Sequence, residues 1–214
     1  MRKIIYVILL LCIFNIFYVD EVAYTHQPKI SNSEKTFVKD PEISKAYYGK
    51  LEGEPHIYII NSDEDFNLYV NILVPDISGI DKDVSVMIMK NNEELHFLNG
   101  SEYQWRSFFE PFGGDSYWQG PEFDQKVTEG TYEIIVSSQD NHGKYSLAIG
   151  KIESFPVSEI INVLIVLPII KQNFFNESPL TAYFNLSGVF LGFFVIIIGI
   201  LTFFLIKKIR RFKN

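Results

Sequence analysis

The chain has 214 residues, 47% of them hydrophobic and 21% charged, a length that suits one modest domain together with targeting and membrane segments. Between Thr25 and Ala182 it carries 12 basic and 24 acidic residues. This argues against a nucleic-acid partner, because affinity for nucleic acid comes largely from Lys and Arg on phosphates. The only cysteine, Cys12, lies outside that stretch, which excludes a domain held by an internal disulfide.

Residues 1–25 have the pattern of a secretory signal peptide. Arg2 and Lys3 form a positive start, and an apolar run from Ile4 to Val19 follows. The alternative is an uncleaved segment that serves as a second membrane anchor. In either case the positive-inside rule predicts that Arg2 and Lys3 stay in the cytoplasm and that the next domain lies outside the cell.

Residues 26–43 are polar and contain Pro28 and Pro41. They show no sustained hydrophobic period. We therefore predict a flexible linker between the signal segment and the domain that follows.

Residues 44–153 are predicted to form an all-β, jelly-roll-like sandwich outside the cell. Apolar residues recur with a period of two, which places one set of side chains on one face of a sheet. Turn signals separate the predicted strands, and short strands at this spacing favour an antiparallel sandwich. The predicted strands are Ala46–Leu51, His56–Asn61, Phe66–Val74, Val84–Met89, Glu94–Leu98, Phe123–Val127, Tyr132–Val136 and Lys144–Ile149.

Two glycine- and tyrosine-containing strands close this domain. The first has Gly130, Tyr132, Ile134 and Val136, and the second has Gly143, Tyr145 and Leu147. This arrangement resembles the closing hairpin of the prepeptidase C-terminal β-sandwich family. The resemblance implies a non-catalytic accessory module on an exported protein and transfers no site residues. The chain departs from the family by carrying no attached protease and by inserting Tyr103–Pro121.

The insertion Tyr103–Pro121 is predicted as an aromatic loop that holds both tryptophans. Its rings either cap one end of the sandwich core or form a recognition surface for a sugar ring or a protein partner. On the second interpretation the candidate ligand-binding residues are Tyr103, Trp105, Glu110, Asp115, Tyr117 and Trp118. A glycan and a membrane or envelope protein are therefore candidate partners.

No catalytic residue, cofactor or metal site is predicted. The histidines are scattered, and the sequence contains no nucleophile elbow, phosphate-binding glycine loop or zinc-ligand spacing. Acidic turns at Asp63–Asp65, Asp81–Asp83 and Asp140–Asn141 offer oxygens for calcium, but none has the spacing of an EF-hand. A hairpin turn explains Asp140–Asn141 more simply.

Residues 154–180 are predicted to form an amphipathic helix at the outer membrane surface. Pro156 and Glu159 mark a helix start, and the apolar run Ile160–Ile170 is too short to span a bilayer. We expect Phe174 and Phe175 to dip into lipid. The alternatives are packing against another membrane protein and burial under the sandwich.

Residues 184–206 are predicted to form one transmembrane helix. Leu186–Ile206 contains no charged residue, and the basic tail of residues 207–214 follows, as in a stop-transfer segment with a cytoplasmic end. Gly188, Gly192 and Gly199 form a stripe on which a second helix could pack.

Together these patterns indicate a cell-surface protein anchored once in membrane lipid, with its N-terminal domain outside. Its expected role is non-catalytic binding or that of an accessory subunit. A carbohydrate-binding module using residues 103–121 is the alternative, and an enzyme is the least favoured interpretation.

Overall fold

The computed structural model describes residues 26–154 and 156–213, so the predicted signal peptide lies outside the described residues. Eleven strands form two sheets in this part of the chain. In spatial order the six-stranded sheet contains β1 (Gln27–Ser31), β3 (Lys45–Glu52), β11 (His142–Ile149), β5 (Phe66–Pro75), β9 (Asp115–Val127) and β8 (Arg106–Glu110). The five-stranded sheet contains β2 (Lys35–Phe37), β4 (His56–Ser62), β10 (Gly130–Ser137), β6 (Ser85–Lys90) and β7 (Glu93–Leu98).

One apolar core lies between the two sheets. Alternate residues of each strand point inward, so that Val70 and Ile72 of β5 share the core with Ile134 and Val136 of β10. All four are fully buried, and burial of such side chains contributes about 1.5–3 kcal/mol each. The predicted β-sandwich is confirmed.

The segment predicted as a flexible linker, residues 26–43, instead supplies an edge strand to each sheet. β1 runs parallel to β3, and β2 runs parallel to β4. These strands have five and three residues, too few to show a period of two. Pro28 fits because an edge strand needs no donor on its open side.

The stretch predicted as an aromatic loop is instead largely a β-hairpin. β8 and the first part of β9 pair antiparallel from Arg106↔Gln119 to Glu110↔Asp115. Gly114, with φ 69°, occupies the turn in a conformation that favours glycine. The hairpin escaped prediction because aromatic residues occupy both faces of its strands, which removes the alternation.

Helix α1 (Val157–Asn173) packs on the outer face of the six-stranded sheet. It begins after Pro156, as predicted. Phe174 and Phe175 follow its last residue and are buried against Tyr69, Leu73, Tyr117 and Ala148 of the sheet, together with Ile170. The prediction that these phenylalanines enter lipid is wrong, because the outer face of the sheet is itself apolar here. Burial against the sandwich is the observed alternative.

A short 3-10 helix, Pro179–Tyr183, leads into helix α2 (Leu186–Lys213). None of the helices in the described part of the chain qualifies as a candidate membrane span. The transmembrane assignment of residues 184–206 stays a prediction.

Candidate functional site

Both tryptophans of the predicted recognition surface pack against the sandwich core. Trp105 Nε1 donates to the carbonyl oxygen of Gly100 at 2.7 Å, and Trp118 Nε1 donates to Asp76 Oδ1 at 2.9 Å. Lys82 Nζ lies 3.8 Å from the Trp118 ring centre. Each indole N–H is therefore used within the domain, which favours the interpretation of these rings as caps of the core.

Three other predicted residues lie on the outer face of the same hairpin, because successive residues of a strand face opposite sides. The Glu110 carboxylate accepts from the backbone N–H groups of Phe112 (2.7 Å) and Gly113 (2.6 Å) and so shapes the turn. The hydroxyl of Tyr117 lies 2.8 Å from that of Tyr48.

Asp115 also faces α1, and Tyr103 lies in the turn before β8. The structure thus does not bring the six predicted ligand-binding residues together on one surface.

A buried ion pair links α1 to the β8–β9 hairpin. Lys171 Nζ lies 2.6 Å from Asp115 Oδ1, and both side chains are 3% exposed. Burial raises the pKa of Asp115 to about 6, and the hydrogen bond from Lys171 limits the rise. A lone lysine after the apolar run Ile160–Ile170 was the sequence signal for a buried acidic partner, and sequence reasoning missed it.

An open cleft of about 570 Å³ lies where the chain crosses from the six-stranded to the five-stranded sheet. β1 pairs with β3 only as far as Ser31↔Gly49, so β3 continues to Glu52 without that neighbour. The cleft has a buried lining, a charged rim and an apolar wall from α1. Its lining residues include Ser31, Glu34, Gly49, Lys50, Glu52, Glu54, His56, Ile170 and Phe174.

A polar cluster inside the sandwich backs the buried lining of the cleft. His56 Nδ1 lies 2.6 Å from the hydroxyl of Tyr145, which lies 2.9 Å from the hydroxyl of Tyr58. Burial lowers the pKa of His56 and raises the pKa of both phenols, so all three groups are neutral near neutral pH.

Ser31 completes this cluster from β1. Its side chain lies beside the hydroxyls of Tyr58 and Tyr145, where hydrogen bonding to Ser31 limits the rise in the pKa of both phenols that burial causes. Ser31, Gly49 and Tyr145 stand side by side on β1, β3 and β11. A Cβ atom on Gly49 would lie 2.5 Å from Cζ of Tyr145, so glycine is required for the tyrosine ring to reach the cluster.

The described residues contain no group of three or more His, Cys, Asp or Glu that could hold a metal ion. Asp140 and Asn141 lie in the turn between β10 and β11, where Asp140 Oδ1 accepts from the backbone N–H of His142 at 2.9 Å. The hairpin-turn interpretation of these two residues is therefore the one that the geometry favours.

The three glycines of the predicted helix-association stripe differ in their surroundings. A Cβ atom on Gly188 would lie 1.8 Å from the carbonyl oxygen of Tyr183, so this glycine is needed at the start of α2. Gly192 and Gly199 would meet nothing within 4 Å. Association through these two glycines stays a prediction.

Comparison with protein-family models and with curated proteins gives no match. Among solved structures, the chain is similar to the prepeptidase C-terminal domain of a collagenase from Bacillus anthracis, at 14% identity and a TM-score of 0.34. That match covers 56% of this chain and 96% of the collagenase domain.

Two further solved structures are similar to the chain at comparably low sequence identity and TM-score. CorA, a surface-associated copper-binding protein of Methylomicrobium album BG8, matches at 10% identity and a TM-score of 0.29, over 60% of this chain and 100% of CorA. A β-glucosidase from Kluyveromyces marxianus matches at 19% identity and a TM-score of 0.26, over 52% of this chain but 12% of the enzyme. The weak resemblance to the prepeptidase C-terminal family is confirmed, and these likenesses carry no conclusion about ligands.

Proposed function

We propose that this chain is a non-catalytic binding or accessory module, held at the cell membrane by α2 with its β-sandwich outside. The observation that carries the proposal is the exposed apolar surface on all sides of α2 between Val195 and Leu205. A helix of that kind belongs in the interior of a large protein or in lipid. Its exposed apolar side chains include Val195, Ile196, Ile198, Ile200, Leu201, Phe203, Phe204 and Leu205.

Hydrogen bonds in the short segment between the sandwich and α2 support a fixed orientation of the sandwich relative to the helix. Asn185 Nδ2 donates to the carbonyl oxygen of Gly113 at 2.6 Å, and Asn185 Oδ1 accepts from the N–H of Gly188 at 3.1 Å. One residue thus caps α2 and ties it to the β8–β9 turn. A protein partner in the same membrane would meet the sandwich in one orientation.

Charge supports the proposed sidedness. The basic residues after Ile206 favour the cytoplasmic side, which places the sandwich before α2 on the outer side of the membrane.

We expect the full chain to stay in the membrane pellet after alkaline extraction. Aspartate at both Ile198 and Leu201 should release it, because each buried charge costs about 2.5–3.5 kcal/mol at the centre of a span. The matched control is Ile198→Leu with Leu201→Ile, which keeps volume and polarity and should stay in the pellet.

Sidedness is tested separately with protease added to intact cells. Cleavage of the sandwich and protection of a tag after Asn214 are expected. Recovery of the wild-type chain in the soluble fraction would contradict the proposed membrane anchor. A protected sandwich with a cleaved tag would show that the orientation is the reverse of the proposed one.

A further inference from the structure

We propose that the open edge of β8 pairs antiparallel with β8 of a second copy of this chain, which joins the two six-stranded sheets into one continuous sheet. The contact surface is Arg106–Glu110, the last strand of the six-stranded sheet. The proposal does not rest on the membrane anchor. Two observations lead to it: β8 lacks the protection that the other sheet edges have, and its charges complement those of a second β8 that runs in the opposite direction.

Three of the four sheet edges in the described part of the chain are protected against pairing. An exposed edge offers unpaired backbone N–H and C=O groups, and proteins usually shield it by a cover, by short length or by charge. α1 covers β1, because Asn162 Nδ2 donates to the carbonyl oxygen of Pro28 at 3.3 Å. Lys29 of β1 also pairs with Glu159 of α1 at 2.7 Å. The second edge, β2, has only three residues.

The remaining edges are β7 and β8. β7 carries Glu93 and Glu94 and no lysine or arginine, so it offers a second β7 no opposite charge. β8 contains no proline and has five residues. Arg106, Ser107 and Phe109 are exposed, and the ring-bearing residue Phe109 is 59% exposed. The edge of β8 is therefore available to another strand.

The charges of β8 lie on one face, at opposite ends of the strand. Arg106 and Glu110 share the face of Phe108, which packs on the outer side of the sheet, because alternate residues of a strand point the same way. Arg106 forms no ion pair with any described residue. The Glu110 carboxylate accepts from backbone N–H groups of its own turn, and its oxygens can accept further hydrogen bonds. Each β8 thus presents one cation without an acidic partner and one carboxylate.

An antiparallel pairing centred on Phe108 brings these charges together. Arg106 of one copy then lies opposite Glu110 of the other, and two-fold symmetry repeats the contact. Opposite charges directly across a sheet stabilise the pairing. A shift of two residues would place Arg106 opposite Phe108 or Phe112, and a shift of one residue would turn one sandwich over. The charges therefore favour one register.

The symmetry of this pair also suits the position of α1. The two-fold axis is perpendicular to the sheet, so the outer faces of both copies continue on one side. Because α1 packs on that face, both α1 helices lie on the same side of the joined sheet, an arrangement compatible with two chains in one membrane. The acidic excess of the outer domain opposes association, but salt at 0.15 M screens exposed charges beyond about 8 Å.

Cysteine cross-linking of the full chain in detergent tests the register, with Cys12 replaced by serine. The pairing places Ser107 of one copy opposite Phe109 of the other, with Cα atoms about 4.5–5.5 Å apart, a distance that a disulfide spans. A mixture of Ser107→Cys and a differently tagged Phe109→Cys chain should therefore form mixed dimers on mild oxidation. Either variant alone should cross-link about fivefold less, because equivalent residues lie about 7–8 Å apart.

The matched control for this experiment is a mixture of Leu95→Cys and Phe97→Cys. These residues have the same spacing on the edge strand β7 and are 42% and 43% exposed. No pair of opposite charges aligns a second copy there, so little mixed dimer is expected.

Substitution of Arg106 tests the charge contact. Arg106→Glu places a glutamate opposite Glu110 at both ends of the pair, and like charges in that position destabilise a sheet. Sedimentation equilibrium in detergent should show a wild-type dimer and about tenfold weaker dimerisation of Arg106→Glu. Arg106→Lys keeps the charge and should dimerise within about threefold of the wild type. Thermal unfolding checks that each variant is folded, which is expected because Arg106 is exposed.

Three results would overturn the proposal. The first is a wild-type chain that stays monomeric at about 100 μM. The second is equal cross-linking of the β8 mixture and the β7 mixture, which would indicate random collision. The third is equal dimerisation of Arg106→Glu and Arg106→Lys. All these measurements are made in detergent, so failure of the membrane anchor would not change them.

Discussion

Replacement of Lys171 by methionine is expected to lower the free energy of unfolding by about 3–5 kcal/mol, the usual cost of leaving a buried charge without its partner. Methionine fills the lysine volume and keeps the helix. The Asp115 carboxylate, 2.6 Å away in the wild type, then stays buried with no cation, and the nearby Glu177 and Glu110 add repulsion. Urea unfolding of the full chain in detergent measures the loss.

The dependence of this loss on pH identifies its cause. In the folded state the pKa of Asp115 is raised from 3.8 to about 6, so the folded protein binds a proton there that the unfolded chain releases. Stability from this group is therefore present below pH 3.8 and is lost as the pH rises through about 6. Removal of Lys171 raises the folded pKa further, so the penalty of the variant should be largest at neutral pH and should shrink in acid.

A second variant and a control complete the test. Lys171→Met with Asp115→Asn removes both charges and should recover most of the lost stability. Lys126→Met alters an exposed lysine, 3.9 Å from Asp65, and should change stability by less than about 0.5 kcal/mol. A loss below about 1 kcal/mol for Lys171→Met at neutral pH would show that the pair does not hold α1 on the sheet.

The strands that the sequence predicts well are those with one apolar and one polar face. β10 alternates between the core and the outside, and most of its outward residues are polar (Thr131, Glu133 and Ser137), so its period is visible in the printed residues. β1 and β2 are edge strands too short for a period. β8 and the start of β9 have aromatic residues on both faces. Phe108 and Tyr117 lie on the face that α1 covers, Trp118 packs against the core, and Phe109 is exposed.

The candidate cleft was not predictable from the sequence. Ser31, His56 and Tyr145 are far apart in the chain and meet only through the register of strands in both sheets. The parallel pairing of β1 with β3 places Ser31 beside Gly49, and the local sequence contains no signal for the register of that pairing. The six predicted ligand-binding residues present the opposite situation. Its six residues are close in sequence, but strand geometry divides them between two faces.

Gly100→Ala is expected to destabilise the sandwich by about 3 kcal/mol or more, because it forces an atom into a packed end of the core. A Cβ atom at this position would lie 1.8 Å from the carbonyl oxygen of Val84, a backbone atom that cannot rotate away. The carbonyl oxygen of Gly100 also accepts from Trp105 Nε1, and its N–H donates to Ser85 Oγ at 3.0 Å. Displacement of Gly100 therefore loosens both the turn and the tryptophan.

Thermal unfolding gives the stability loss, and tryptophan fluorescence reports the environment of Trp105. A red-shifted emission with reduced stability is expected for Gly100→Ala. Ser101→Ala is the matched control: it changes the next, exposed residue and should leave both readouts near the wild type. A Gly100→Ala protein with wild-type stability would mean that the turn after β7 can shift freely. Trp105 could then leave the core, and its ring would be available to a ligand. That result would favour the interpretation of residues 103–121 as a recognition surface.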